Sequence, residues 1–201
     1  MLTKISRKNC LKKIPWMPHT SLNRNKIYFP KTYGNYTLTV DVKFIRDYIN
    51  TFSKEFEKLV QILELGPLIF IGDNGLPWLY QKHDYSKVKS VIAYLKQNKI
   101  TKKFNGGLLV NKEELAEFTT HLFWLTRCCA ALPYFHFADK HENVCGYICK
   151  FGNVHLYTIN KGFNRKISAA LKSSAFIPIP EMSCYNKFGK TGAIRNRRTI
   201  V

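Results

Sequence analysis

Residues 66–72 read GPLIFIG, and the reading of the apolar run LIFIG (68–72) decides how the chain is expected to fold. A short, unbroken apolar run bounded by turn residues fits a strand buried on both faces, as in a parallel sheet covered by crossover helices. The sequence on either side extends that reading. YTLTVDV (36–42) alternates apolar and polar residues and is rich in β-branched side chains, which predicts a strand. Ile45, Tyr48, Ile49, Phe52, Phe56, Leu59, Val60 and Leu63 then recur at helical spacing, with Gly66-Pro67 as the expected stop. Val88, Val91, Ile92 and Leu95 mark a second helix, and Leu115, Phe118, Leu122 and Leu125 a third. YFHFAD (134–139) reads as a strand, ENVCGYICKF (142–151) as a helix and VHLYTI (154–159) as a strand. A last helix over 165–174 precedes FIPIP. Strand and helix in alternation predict one α/β domain, a parallel sheet covered on both faces.

Charge points to the partner. The 201 residues carry a net charge of +19, which favours a polyanion, because such a chain repels itself unless something neutralises it. Residues 1–33 hold eight Lys or Arg and no acid, and residues 182–201 hold five and no acid. The organisation expected is therefore a basic N-terminal arm (1–33), an α/β body (34–181) and a basic C-terminal tail (182–201). No apolar run approaches the roughly 20 residues a membrane helix needs, so no membrane partner is expected. The six cysteines do not read as a disulfide framework, since a chain of this size needs no stapling and no secretion signal precedes it. Reduced thiols are expected. The richness in Lys, Asn, Phe and Tyr suits an AT-rich genome such as an organelle's.

Three motifs suggest chemistry and each falls short. CYNKFGKT (184–191) ends like a phosphate-binding loop, but Cys184 stands where the first Gly must be, and no long helix can follow. LIFIGDNG offers a Gly turn after a buried strand, yet Gly72 and Gly75 are spaced GxxG and no acid ends the next strand. His136, His141, Cys145 and Cys149 have metal-ligand chemistry, the last three stacking on one face if 142–151 is helical. Zinc usually draws ligands from two elements, and Cys128-Cys129 is the other thiol cluster. Asp73, His83, Asp84 and Asp139 could be nominated for catalysis, but nothing pairs them. No enzyme activity, metal or cofactor is expected.

TKKFNGGLLVN (101–111) combines lysines, an aromatic, a Gly pair and an Asn suited to capping the next helix. With its neighbours it resembles the S-two family of small-subunit ribosomal proteins, whose hallmark is an aromatic–x–Gly–Gly–x–Leu–Thr–Asn loop. The shared order runs from His19 and NKIYFPKTYGNYTLTVDV through GPLIFIG, FNGGLLVN, LPYFHFADKHENV and GNVHLYTIN to FIPIPEMS, over about residues 19–182. Departures are the absence of a helical hairpin after the Gly pair, Val110 for the usual Thr, Tyr134 for the Asp after Pro133, and GKTGAIRNRRTIV in place of a C-terminal helix.

The resemblance implies a flavodoxin-like three-layer sandwich in a structural constituent of the small subunit that helps assembly and translation. Its partners would be small-subunit rRNA and neighbouring ribosomal proteins, and it would not form a homo-oligomer. A mitochondrial ribosome is the expected location, with a plastid or a bacterial cytoplasm as the alternative. Phosphate contacts are expected from Arg7, Lys8, Lys12, Lys13, Arg24, Lys26 and Lys31 in the N-terminal arm, and from Lys187, Lys190, Arg195, Arg197 and Arg198 in the tail. Lys102, Lys103 and Asn105 on the Gly-Gly loop join them. The rival readings are a freestanding RNA-binding factor and a nucleotide-binding enzyme.

Overall fold

A computed structural model of the chain describes residues 1–20, 27–72, 75–79, 85–128, 134–180, 184 and 188. In chain order the elements are β1 (Thr3–Ile5), α1 (Arg7–Lys13), β2 (His19–Thr20), β3 (Ile27–Tyr28), β4 (Gly34–Val40), α2 (Ile45–Ile62), β5 (Leu68–Gly72), α3 (Ser86–Gln97), β6 (Gly107–Val110), α4 (Leu115–Cys128), β7 (Phe135–Asp139), β8 (Val144–Ile148), β9 (Val154–Thr158), α5 (Lys161–Lys172) and β10 (Phe176–Ile179). A short 3₁₀ turn, Lys112–Glu114, leads into α4. Among the described residues, strands β2 and β3 pair only with each other.

The remaining strands form one sheet in the order β1-β6-β5-β7-β8-β9-β4-β10, and every neighbouring pair is antiparallel. The parallel, flavodoxin-like sandwich expected from the sequence is therefore not the fold. The strand–helix–strand units do exist. β4-α2-β5, β6-α4-β7 and β9-α5-β10 each join two strands of the same direction, but at least one strand running the other way lies between the two. Such split units have the element alternation of a parallel sheet without its hydrogen bonding.

Full burial of β5 misled in the same way. All five of its residues are buried, but burial on two faces reports two covering layers and says nothing about strand direction. On one face, Leu68 and Phe70 join the main core with the helices α2 to α5. On the other, Ile69 and Ile71 pack with Cys10, Ile14 and Met17. Those three residues, at helical spacing along and just beyond α1, are almost fully buried, so the supposed N-terminal extension is part of the fold. Its helix is capped by Ser6, whose hydroxyl accepts from the Asn9 amide at 3.3 Å. Ile5 pairs with Gly107, making β1 the edge strand beside β6. Arg7 donates to the Gly72 carbonyl at 2.7 Å and the Trp16 indole N–H to the Asp139 carbonyl at 3.1 Å, fixing the segment to β5 and β7.

The Gly pair of FNGGLLVN is explained by this docking. A Cβ on Gly106 would lie 2.1 Å from the Ile5 carbonyl oxygen, and one on Gly107 would lie 2.9 Å from Cys10 Sγ. The partner that needs close backbone approach is the chain's own N-terminus. GLLV itself is strand β6, where the sequence suggested a loop.

Residues 142–151, expected to be helical, instead hold β8, half of a hairpin with β7. The Asp139 carboxylate, completely buried, shapes its turn by accepting from the amides of His141, Asn143 and Val144 and from Asn143 Nδ2, at 2.9–3.1 Å. A candidate for catalysis is thus a hairpin scaffold.

Helix ends follow local rules that the sequence hid. α2 stops before Gly66-Pro67, with Glu64 in the left-handed region (φ 52°) and the Leu65 amide returning to the Val60 carbonyl at 3.1 Å. α3 ends in the same way at Lys99 (φ 58°), with Ile100 returning to Leu95. In both, a buried apolar residue after the turn, Leu65 or Ile100, makes up for the missing glycine.

The main core is unusually aromatic. The Phe137 ring lies 5.2 Å from that of Phe56 and 5.6 Å from that of Phe70, tying β7 to α2 and β5. Phe137→Ala is expected to cost about 3–5 kcal/mol, read as a lower urea midpoint. Glu64→Gly is expected to raise stability by roughly 0.5–1 kcal/mol by relieving the left-handed backbone, seen as a higher midpoint with unchanged slope.

Candidate functional site

Two features of the described surface bear on function, a cationic edge and a cysteine–histidine cluster. The edge is built where β1 and α1 lie against the 99–107 segment. Lys4 reaches the Lys99 carbonyl at 3.0 Å. Asn105 Nδ2 donates to the Gly75 carbonyl at 3.0 Å, and a Cβ on Gly75 would lie 3.7 Å from the Arg7 guanidinium. Residues far apart in sequence, Lys4, Arg7 and Lys8 with Lys99, Lys102, Lys103 and Asn105, therefore share one edge of the molecule. All but the half-buried Arg7 are exposed.

The expected phosphate contacts divide accordingly. Lys8, beside Arg7 on α1, and Lys102 and Lys103, between Lys99 and Asn105, are exposed. Lys12 and Lys13 are exposed in the last turn of α1, where cations suit the helix dipole. Arg7 and Asn105 spend hydrogen bonds on backbone carbonyls and so also hold the edge together. Lys31 is exposed and lies 5.9 Å from the centre of the Tyr33 ring, beside a shallow groove that Trp16 and Tyr28 also line. Arg24, Lys26, Lys187, Lys190, Arg195, Arg197 and Arg198 lie outside the described residues, as do Asp73, His83, Asp84 and Cys129.

The end of β5 at Gly72 does not lie at the switch point of a doubly wound sheet. An antiparallel sheet has no point where parallel strand order reverses, and Arg7 occupies the Gly72 carbonyl.

The metal-like residues named from sequence do not converge. His141 is exposed in the β7–β8 turn, while His136 and Cys145 lie on adjacent strands, packed under the N-terminal segment. Cys149 alone enters a cluster, and its companions are His155 on β9 and Cys184 from the C-terminal segment. Their ligand atoms all lie within 4.8 Å of one another. Cys149 Sγ is 3.3 Å from Cys184 Sγ, which is 3.5 Å from His155 Nε2. Reading 142–151 as a helix concealed this group. As a hairpin, CKFGNVH places Cys149 and His155 on the same sheet face across a turn closed by Gly152 (φ 91°).

The cluster's surroundings hold its members in place. His155 Nδ1 faces Thr37 Oγ1 at 3.3 Å, and its ring stacks on Tyr147 at 4.4 Å, nearly parallel. Asn153 Nδ2 donates to Cys184 Sγ at 2.8 Å, while its Oδ1 accepts from the buried Tyr48 hydroxyl at 3.1 Å. Phe188, itself buried, meets Tyr48 edge-on at 5.2 Å and holds the same segment from the other side. Two residues of CYNKFGKT thus act as structural attachments.

The hydrogen bond with Cys184 and burial hold the Cys149 thiol well above its ordinary value. The Cys184 thiol is pulled below its ordinary value, first by the hydrogen bond with Cys149 and then by those with His155 and Asn153, against partial desolvation. Among the described residues the arrangement therefore brings two sulfurs and one imidazole nitrogen to a point.

Comparisons with family models, with curated proteins and with solved structures each found no match to this chain.

On the same sheet face, burial first, and then the charges of His19 and Arg7, push His136 down to about 3. The unfolded chain takes up that proton near its ordinary value of 6.5, whereas the folded chain stays neutral until about pH 3. The contribution of His136 to stability is thus fully present above pH 6.5 and is lost as pH falls through that window. Relative to His136→Gln, the parent is expected to lose stability between pH 6.5 and about 3 and to keep a constant offset above it, measured by urea unfolding at stepped pH.

Proposed function

We propose that this chain is an rRNA-binding structural component of the small subunit of a mitochondrial ribosome. The observation that carries the reading is the placement of charge. Of a net +19, thirteen charges belong to residues 1–33 and 182–201, where no acid occurs. The folded part of the N-terminal stretch joins its cations to Lys99, Lys102 and Lys103 on one edge. Among the described residues, Lys8, Lys12, Lys13, Lys102 and Lys103 make no ion pair with a carboxylate. Exposed, unneutralised cations on helix α1 and on the turn before β6 suit a phosphate backbone, whose binding is driven largely by counterion release.

The motif order shared with the S-two family supports the choice of the small subunit. That family's parallel fold is not this chain's, so none of its contacts is carried over. A structural role for Asp139, the one catalytic candidate among the described residues, is supported by its four hydrogen bonds within a hairpin turn.

A lysate run on a sucrose gradient in moderately high salt, with and without ribonuclease, tests the proposal. Sedimentation with the small subunit, abolished by RNA digestion, is the expected result. A peak among light soluble proteins would favour a freestanding RNA-binding factor and sink the ribosomal reading. For the purified chain, affinity for structured RNA is expected to fall steeply with salt. Lys102→Ala with Lys103→Ala should flatten the log–log slope by about 2, roughly one for each phosphate that a lysine neutralises in the parent.

A further inference from the structure

We propose that Cys149, His155 and Cys184 form a zinc site that clips the C-terminal segment to the β8–β9 hairpin. Two soft sulfurs and an imidazole are a donor set that selects Zn²⁺ over the hard, oxygen-seeking cations. The spacing fits a tetrahedral ion. Zn–S bonds of about 2.3 Å and Zn–N bonds of about 2.0–2.1 Å place two sulfurs about 3.8 Å apart and a sulfur and a nitrogen about 3.5 Å apart. The corresponding distances are 3.3 Å between the sulfurs and 3.5 Å from Cys184 Sγ to His155 Nε2, and the Cys149 and His155 donors lie within 4.8 Å of each other. An ion would part the thiols by about 0.5 Å and draw Cys149 and His155 to the same centre. Three protein donors leave the fourth position to water.

The outer contacts are those of a prepared site. His155 faces Thr37 through Nδ1, which leaves Nε2 for the metal, and the Tyr147 ring fixes its plane. Asn153 orients the Cys184 sulfur and is in turn held by Tyr48. Binding would release the thiol protons, with no change of oxidation state. It would also join residues 149 and 184, closing a long loop in the native state. This inference does not depend on the partner being RNA.

The test is titration of the reduced, metal-free full chain with Co²⁺ alone, followed by displacement with Zn²⁺. One equivalent is expected to give a thiolate-to-cobalt charge-transfer band and tetrahedral ligand-field bands, both abolished by one equivalent of Zn²⁺. Cys184→Ser, at a half-exposed position, should weaken binding by about 100-fold or more. Thr37→Val, which leaves every donor in place, should weaken it by about 10-fold. Cys145→Ser, at a buried thiol outside the cluster, should change nothing. Far-UV spectra establish that each variant folds. Absence of the bands in the folded parent, or equal binding by Cys184→Ser, overturns the proposal. So does a Cys149–Cys184 disulfide that persists in the presence of reductant and excludes metal.

Discussion

Leu68–Gly72 is buried on both faces at the interior of the sheet, and most of the fold can be understood as the means of covering it. An apolar strand of this kind loses roughly 25 cal/mol for each Å² left in contact with water, so an uncovered face would be untenable. The helices α2 to α5 form one layer, but they all lie on the same side. The second side is covered by the N-terminal segment through Cys10, Ile14 and Met17. Docking that segment draws β1 onto β6, requires glycine at 106 and 107, and carries Lys4, Arg7 and Lys8 to the edge where Lys102 and Lys103 stand. The cationic surface is a consequence of covering the apolar strand.

The antiparallel pairing has its own local cause. Asp139 satisfies four donors at the β7–β8 turn, and the short turn after Cys149 returns the chain as β9. Two tight hairpins in succession can only produce antiparallel neighbours, since a parallel pair needs a crossover of a dozen residues or more. Once this meander occupies the middle of the sheet, α2 must carry the chain from β4 over β9, β8 and β7 to reach β5. Gly146 lets the strands close up beneath the core, because a Cβ there would lie 2.2 Å from the His155 carbonyl and 2.7 Å from the Phe137 ring.

At the other end of the chain, Cys184 meets Cys149 and His155 while Phe188 packs on Tyr48. The N-terminal segment, through Cys10, Ile14 and Met17, and the residues Cys184 and Phe188 are thus attached to a shared scaffold. This matters for a polyanion-binding protein. Cations on an ordered base can match a particular backbone path, whereas cations on an unattached chain supply affinity with little register. A zinc clip at Cys184 would serve the same end at the C-terminal side.

The amino-acid sequence alone determined the net charge and its concentration toward the two ends, because those quantities do not depend on fold. Periodicity located the long helix at Ile45–Ile62, the helix of Leu115–Cys128 and the strands LIFIG, YTLTVDV and VHLYTI, because each buries a face against neighbours that local pattern reveals. It failed at ENVCGYICKF, where apolar residues on both faces of a central strand mimic a helix's spacing. Strand direction, the partner of each strand and the identity of the second covering layer were settled only by tertiary structure. They depend on which distant segments are available to hydrogen-bond and to exclude water, and alternation along the chain carries no record of that choice. The cysteine–histidine cluster belongs with them. Its residues are separated by five and by twenty-eight intervening positions, and only a hairpin turn and the return of the C-terminal segment bring their sulfurs and nitrogen within a metal's reach.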